Sequence, residues 1–271
     1  MTLLEIYKVK VLEKIRYKTD FASAPHTRDI DKPNEDRLLV DEERGIFIVL
    51  DGVTRVHSEY KEAPFESAAG EVGDIFLGAV YSYLCDHVSD PDPKVILNDA
   101  VRVANSLIKD YRSQKSEEEW GFYPSTLGII SLLRDGTLYY LSVGDCIGVL
   151  LREKSKILFG RECTLEAVDL HEVSKKERYA TYCNHPENHL SYTVFNGDDV
   201  VMAGVEYSYV DIHEGDILFL ATDGIGNYLK YEKVCDLKEQ SAEEIISLSG
   251  KYDTLPYSNY GDDKTLIKIS F

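Results

Sequence analysis

Apolar positions along this chain follow two rhythms, short unbroken runs and runs with helical spacing. Unbroken runs read as buried strands. A first group spans Phe21 to Leu50, where Arg37-Leu38-Leu39-Val40 is followed by a turn at Asp41 to Gly45 and then Ile46 to Leu50. A second spans Leu127 to Leu151, three runs punctuated by Asp135-Gly136 and Gly144-Asp145. Leu138 to Leu141 and Ile147 to Leu151 are predicted there as hairpin-linked strands. A third group runs from Asp199 to Leu220 and resumes at Thr265. Helical spacing places Val72, Ile75, Phe76, Ala79, Val80 and Leu84 on one face of a helix from Ser67 to Cys85. After the break Asp90-Pro91-Asp92-Pro93, a second helix carries Val95, Ile96, Ala100, Val103, Ala104, Leu107 and Ile108. It fades into the polar stretch Ser113 to Glu119, read as the solvated end of a helix. A third helix is expected over Ala242 to Leu248.

Strands, two helices, strands, a helix and a final strand do not alternate as in a parallel sheet. Segregated helices and antiparallel strands predict an α+β fold, two packed sheets with helices outside. No linker, repeat or low-complexity tract divides residues 1–271, so a single domain is expected.

Composition narrows the classes of function. With 271 residues, 44% apolar and including 19 Tyr, the chain can bury a sizeable core. No stretch approaches the roughly 20 apolar residues of a membrane span, and Met1 to Lys8 lacks the apolar core of a signal peptide. A cytoplasmic protein without membrane contact is expected. The net charge of -18 argues against nucleic acid, which demands neutralising cations, and against an anionic membrane surface. Oligomeric state is not legible. The five cysteines (Cys85, Cys146, Cys163, Cys183, Cys235) are odd in number and form no CxxC, so reduced thiols are expected.

Four acidic clusters lie where apolar runs meet turns: Asn34-Glu35-Asp36, Asp51-Gly52, Asp223-Gly224 and Asp262-Asp263. Either Asp-Gly pair alone reads best as an ordinary turn. Together the four suggest strand ends converging on one place, and clustered carboxylates are costly to desolvate unless a cation compensates them. Hard oxygen ligands select Mg2+ or Mn2+. Asp51 is the natural ligand to bridge two such ions, because Gly52 also lets the backbone carbonyl come close.

Asn34-Glu35-Asp36-Arg37, Val49 to Thr54, Ser125-Thr126-Leu127, Val143-Gly144-Asp145, Ala221 to Gly224 and Asp262 to Thr265 resemble, in order and spacing, the motif series of the PP2C-type (PPM) metal-dependent serine/threonine phosphatases in their bacterial-like form. The resemblance runs from about Asn34 to the C-terminus. It implies a four-layer αββα sandwich with two Mn2+ or Mg2+ ions, and a weaker third, in a channel at one end. Asp51 would bridge the two ions and Gly52 would offer its carbonyl. Glu35 would bind one ion. Asp223 and Asp262 would complete the other's shell with Asp36 in support, and Asp145 would share the third ion with Asp223. The implied reaction is attack of a water bridging two metals on phosphoserine or phosphothreonine of a protein, without a phosphoenzyme. A variable flap would cover roughly residues 154–196.

Departures from the family pattern concern substrate rather than metal. The family's phosphate-binding Arg is replaced by Asp31. Lys32 and Arg28 lie nearby, and Lys32 stands as the candidate cation, without the bidentate fork of Arg. Val53 stands where many members carry His as a candidate general acid, and Asn227 where an Asp often follows the fourth motif. These losses favour the alternative of a non-catalytic, pseudophosphatase-like module that binds a phosphorylated partner, while the intact carboxylates favour an enzyme. Cys146 and Arg152 match the Cys-x5-Arg of covalent tyrosine phosphatases, but the residues between them read as a strand rather than a phosphate loop. Cys183, His185 and His189 lack a second ligand pair for zinc and read as a polar loop, with His189 near the substrate by the resemblance.

Overall fold

A computed structural model describes residues 16–25, 33–53, 68–115, 124–160, 181–185, 187–188, 191–252 and 262–271. Among these residues ten strands form two antiparallel five-stranded sheets. The first has the order β1 (Lys18–Ala24), β10 (Lys264–Ser270), β9 (Ile217–Ala221), β6 (Ile147–Arg152), β7 (Ser155–Phe159). The second has the order β2 (Arg37–Asp41), β3 (Ile46–Val53), β4 (Ser125–Arg134), β5 (Thr137–Val143), β8 (Glu206–Asp211).

Helices α1 (Ala68–His87) and α2 (Pro93–Ser113) cover the second sheet. The short helices α3 (Gly226–Tyr231), α4 (Val234–Glu239) and α5 (Ala242–Leu248) cover the first. The result is the four-layer αββα sandwich. Its main core joins Ile46 to Leu50, Ile129, Ile130, Leu218, Leu220, Ile267 and Ile269 to Val72, Phe76 and Val80 of α1. Unbroken apolar runs such as Ile46–Leu50 arise because their strands are covered on both faces, by a helix layer and by the other sheet. A second core lies between the first sheet and its helices, where Val149, Phe219 and Leu266 meet Tyr228, Leu229 and Ile245.

Local chemistry sets the boundaries. Asp92, in extended backbone, accepts from the amides of Lys94 and Val95, and Pro93 opens α2, so the Asp-Pro break is a helix cap. Ser241 and Glu244 form a reciprocal capping box on α5. Asp135 and Gly136 both have positive φ, at 52° and 79°, and close the β4–β5 hairpin as a type I′ turn.

Two expectations need correction. Runs β5 and β6 are not a hairpin: β5 pairs with β4 and β8, β6 with β7 and β9, and the turn Gly144-Asp145 carries the chain from one sheet to the other. A three-residue turn between apolar runs looks the same in sequence whether the strands pair or part. The stretch expected to begin as strand at Asp199 is instead a 3₁₀ turn, Asp199–Ala203, and the strand starts at Glu206. The expected flap region opens with β7, and its far end is fastened to the core. Thr126 and Phe195 exchange backbone hydrogen bonds of 3.1 and 2.7 Å. On α2, Asn105 accepts from the Gly197 amide at 2.9 Å and donates to the Asp198 carbonyl at 3.0 Å.

Candidate metal centre

Strand register gathers the acidic clusters at one end of the sandwich. In the second sheet Arg37 pairs with Leu50 and Leu50 with Gly128. Glu35 and Asp36, just before β2, therefore lie beside Asp51 and Gly52. Gly128 also pairs with Val143, which brings the turn at Asp145 to the same end. In the first sheet Ala221 is flanked by Ile147 and Leu266. Asp223 thus sits between the residues leading into β6, among them Asp145, and those leading into β10, Asp262 and Asp263.

Two glycines permit the closeness. A Cβ on Gly52 would stand 2.4 Å from Cβ of Glu35, and one on Gly224 would stand 2.1 Å from the carbonyl oxygen of Asp263. Neither distance is compatible with a side chain, so the Gly of each Asp-Gly pair is needed for strand ends to approach.

Carboxylate oxygens of Asp51, Asp145 and Asp223 lie within 4.8 Å of one another. The carboxyl groups of Asp51 and Asp223 thus face each other at close range. Burial raises the pKa of Asp51 and Asp223 well above the usual carboxylate range. The neighbouring carboxylates add to it: Asp223, Asp36, Asp262 and Asp145 for Asp51, and Asp145, Asp262 and Asp36 for Asp223. Asp145 is raised by burial and by Asp262. Burial, then Asp263 and Asp262, push Asp36 up to about 8 against the hydrogen bonds it accepts. Desolvated carboxylates that repel one another are the donor set a divalent cation satisfies.

The remaining sequence candidates surround this triad. Glu35 is fully buried, and its amide donates to Asp263 Oδ2 at 3.0 Å. Asp36 accepts from Thr222 Oγ1 at 2.8 Å. Asp262 contributes charge to Asp36, Asp51, Asp145 and Asp223, although the tight triad takes Asp145 in its place. Arg37 holds the Asn34–Asp36 segment against α1. Its Nη1 donates to the carbonyls of Asn34 and Asp36 at 2.9 and 3.0 Å, while Nε and Nη2 grip Asp74. Thr126 Oγ1 donates to the Asp51 carbonyl at 2.9 Å. Thr126 and Thr222 were given no role from sequence; the signal was that each lies inside one of the motif segments, Ser125-Thr126-Leu127 and Ala221 to Gly224. Lys32, Asp31, Arg28 and His189 lie outside the described residues.

The rival cysteine site is dismantled by its surroundings. Cys146 is buried, and its thiol is pushed well up by desolvation and by Asp51, Asp145, Asp223 and Asp36, the reverse of a reactive thiolate. Arg152 lies at the far end of β6 and grips Asp216 through Nε and Nη2. Cys183 is buried, and among the described residues Cys85, Cys146, Cys183 and Cys235 are free thiols.

No protein-family model and no curated protein sequence matches the chain. Solved structures do. The Mycobacterium tuberculosis serine/threonine phosphatase PstP/Ppp aligns with a TM-score of 0.66 at 19% identity, over 94% of this chain and 98% of its own. The catalytic domain of PstP in complex with two manganese ions aligns with a TM-score of 0.63 at 18% identity, over 94% and 97%. PppA, a regulatory component of the type VI secretion system (T6SS) in Pseudomonas aeruginosa, aligns with a TM-score of 0.64 at 15% identity, over 94% and 98%. The chain has the fold of the PPM-type serine/threonine phosphatases across nearly its whole length.

Proposed function

We infer that this chain is a metal-dependent phosphoprotein phosphatase that hydrolyses phosphoserine or phosphothreonine. One observation carries the reading: three half-buried carboxylates drawn from both sheets and the turn between them meet within 4.8 Å at one end of a fold shared with such phosphatases. The donor set is all oxygen, which suits Mn2+ or Mg2+. Asp51, the Gly52 carbonyl, Asp223, Asp262, Glu35, Asp36 and Asp145 would hold two ions and a weaker third. When bound, the ions would lower the pKa of a water and neutralise charge on the phosphoryl group.

The chain's own residues hold that machinery in place. Thr126 fixes the Asp51 backbone through its carbonyl. Arg37 fixes the segment that bears Glu35 and Asp36. Lys32 is the proposed cation for the substrate phosphate. The elevated Cys146 thiol supports direct hydrolysis over a cysteinyl-phosphate route. Val53 has no proton to give a departing alkoxide, so substrates with good leaving groups should turn over best.

Mn2+-dependent hydrolysis of p-nitrophenyl phosphate and of a phosphothreonine peptide tests the reading. Activity should disappear on chelation and in Asp51→Asn, and the aryl ester should exceed the peptide in kcat. A wild-type protein that binds the phosphopeptide in Mn2+ without turning over either ester would be the pseudophosphatase-like module instead.

A further inference from the structure

Behind the acidic residues, side chains that carry no charge close a ring around Asp36. Ser23 Oγ on β1 shares a hydrogen bond of 2.8 Å with Thr265 Oγ1 on β10. Asn34 Nδ2 donates to Ser23 Oγ at 2.8 Å, and Asn34 Oδ1 accepts from the Asp36 amide at 2.9 Å. Thr222 Oγ1 donates to Asp36 Oδ2 at 2.8 Å and accepts from the Thr265 amide at 3.0 Å, completing the circuit. Thr222 and Thr265 are fully buried and also pair through their backbones, the Thr222 amide donating to the Thr265 carbonyl at 3.0 Å.

The direction of the Thr222 bonds is forced. An amide can donate only, so the Thr222 oxygen must accept from Thr265, and its single proton is left for Asp36. The Thr222 hydroxyl, with that of Thr265 beside it, therefore orients the Asp36 carboxyl. It also sets the spacing between the residue before Asp223 and the strand that follows Asp262 and Asp263. Three acidic motifs meet at that atom.

We propose that Thr222 is a positioning residue of the divalent-metal centre, acting through Asp36 and through the separation of β9 from β10. The proposal rests on the metal-dependent reading of the site. Outer-shell partners of metal ligands are worth about 10- to 100-fold in metal affinity. Thr222→Val keeps the shape and removes both hydrogen bonds; Thr222→Ser keeps the hydroxyl.

Mn2+ titration by calorimetry, on proteins whose circular dichroism shows the native fold, tests it. Thr222→Val should weaken Mn2+ binding about 10- to 100-fold, and Thr222→Ser should bind as wild type does. In an Asp36→Ala background, which removes the acceptor, Thr222→Val should add less than it does alone, because the Asp36 link is already gone and only the contact with Thr265 remains to be lost. Wild-type affinity in folded Thr222→Val, or full additivity with Asp36→Ala, would overturn the proposal. Thr222→Ala, which leaves room for a water, stands in should the valine variant not fold, and unfolding of both would make Thr222 a packing residue and sink the idea. A wild-type protein that takes up no Mn2+ would be a different result, removing the metal centre itself.

Discussion

Gly52 shows how much of this site depends on a missing atom. Its backbone lies so close to Glu35 that an added Cβ would stand 2.4 Å from the neighbour's Cβ and 2.8 Å from its carbonyl oxygen. Gly52→Ala must push the Asn34–Asp36 segment away from Asp51. A cost of about 1–3 kcal/mol in stability is expected, read from urea denaturation, together with a loss of Mn2+ affinity larger than that of a surface substitution. Retention of both would mean that the two segments can separate freely. Residues of this kind were legible in the sequence because an Asp-Gly pair after an apolar run is distinctive. Thr222 and Thr126 were not. A buried threonine beside an acid is common, and its importance comes from partners as far away as Asp36, 186 residues earlier.

At the scale of elements, pattern and fold agree where a segment is long and periodic. Helices α1 and α2 and strands β2 to β4 lie where the apolar spacing placed them. Helices α3 and α4, six residues each, escaped notice because so short a helix is held by tertiary packing rather than by its own propensity. Lysines from the first sheet anchor their ends: Lys156 Nζ donates to the carbonyls of Leu229, Lys230 and Glu232, and Lys268 Nζ to those of Leu237, Lys238 and Gln240. The sheet change after β5 was hidden too, since pairing partners are a property of the assembled sheets. Two substitutions separate local from tertiary contributions. Asp92→Ala removes the α2 cap and should cost about 1 kcal/mol with Mn2+ binding unchanged. Arg152→Met should cost more, about 2–3 kcal/mol, because it strands Asp216, a residue 2% exposed. Burial pushes the Asp216 carboxyl up, but Arg152 and the His213 amide more than offset it and hold it below the usual range. Chemical denaturation of both variants checks the order; equal losses would mean that the ion pair adds nothing beyond a helix cap.

For the molecule as a whole, the acidic end makes stability depend on pH and metal together. In the unfolded chain Asp36 ionises in the ordinary carboxyl range, whereas in the metal-free fold it holds its proton to about 8. Folding is therefore favoured while both states are protonated, and that advantage is lost as pH rises from the ordinary range through about 8. The melting temperature in chelator should fall between about pH 5 and pH 8. Mn2+ replaces the protons, and at a hundredfold excess over Kd it should add about 2.7 kcal/mol, flattening the slope. Parallel pH profiles with and without Mn2+ would contradict this linkage. Spatially, Asp51 comes from one sheet, Asp223 follows a strand of the other, and Asp145 stands where the chain crosses between them. A cation seated among the three would act as a rivet through the two halves of the sandwich. Loading and cohesion then become one event: starved of metal, the protein should begin to part along this seam, and the amides at the ends of β3 and β9 should be the first to exchange with solvent.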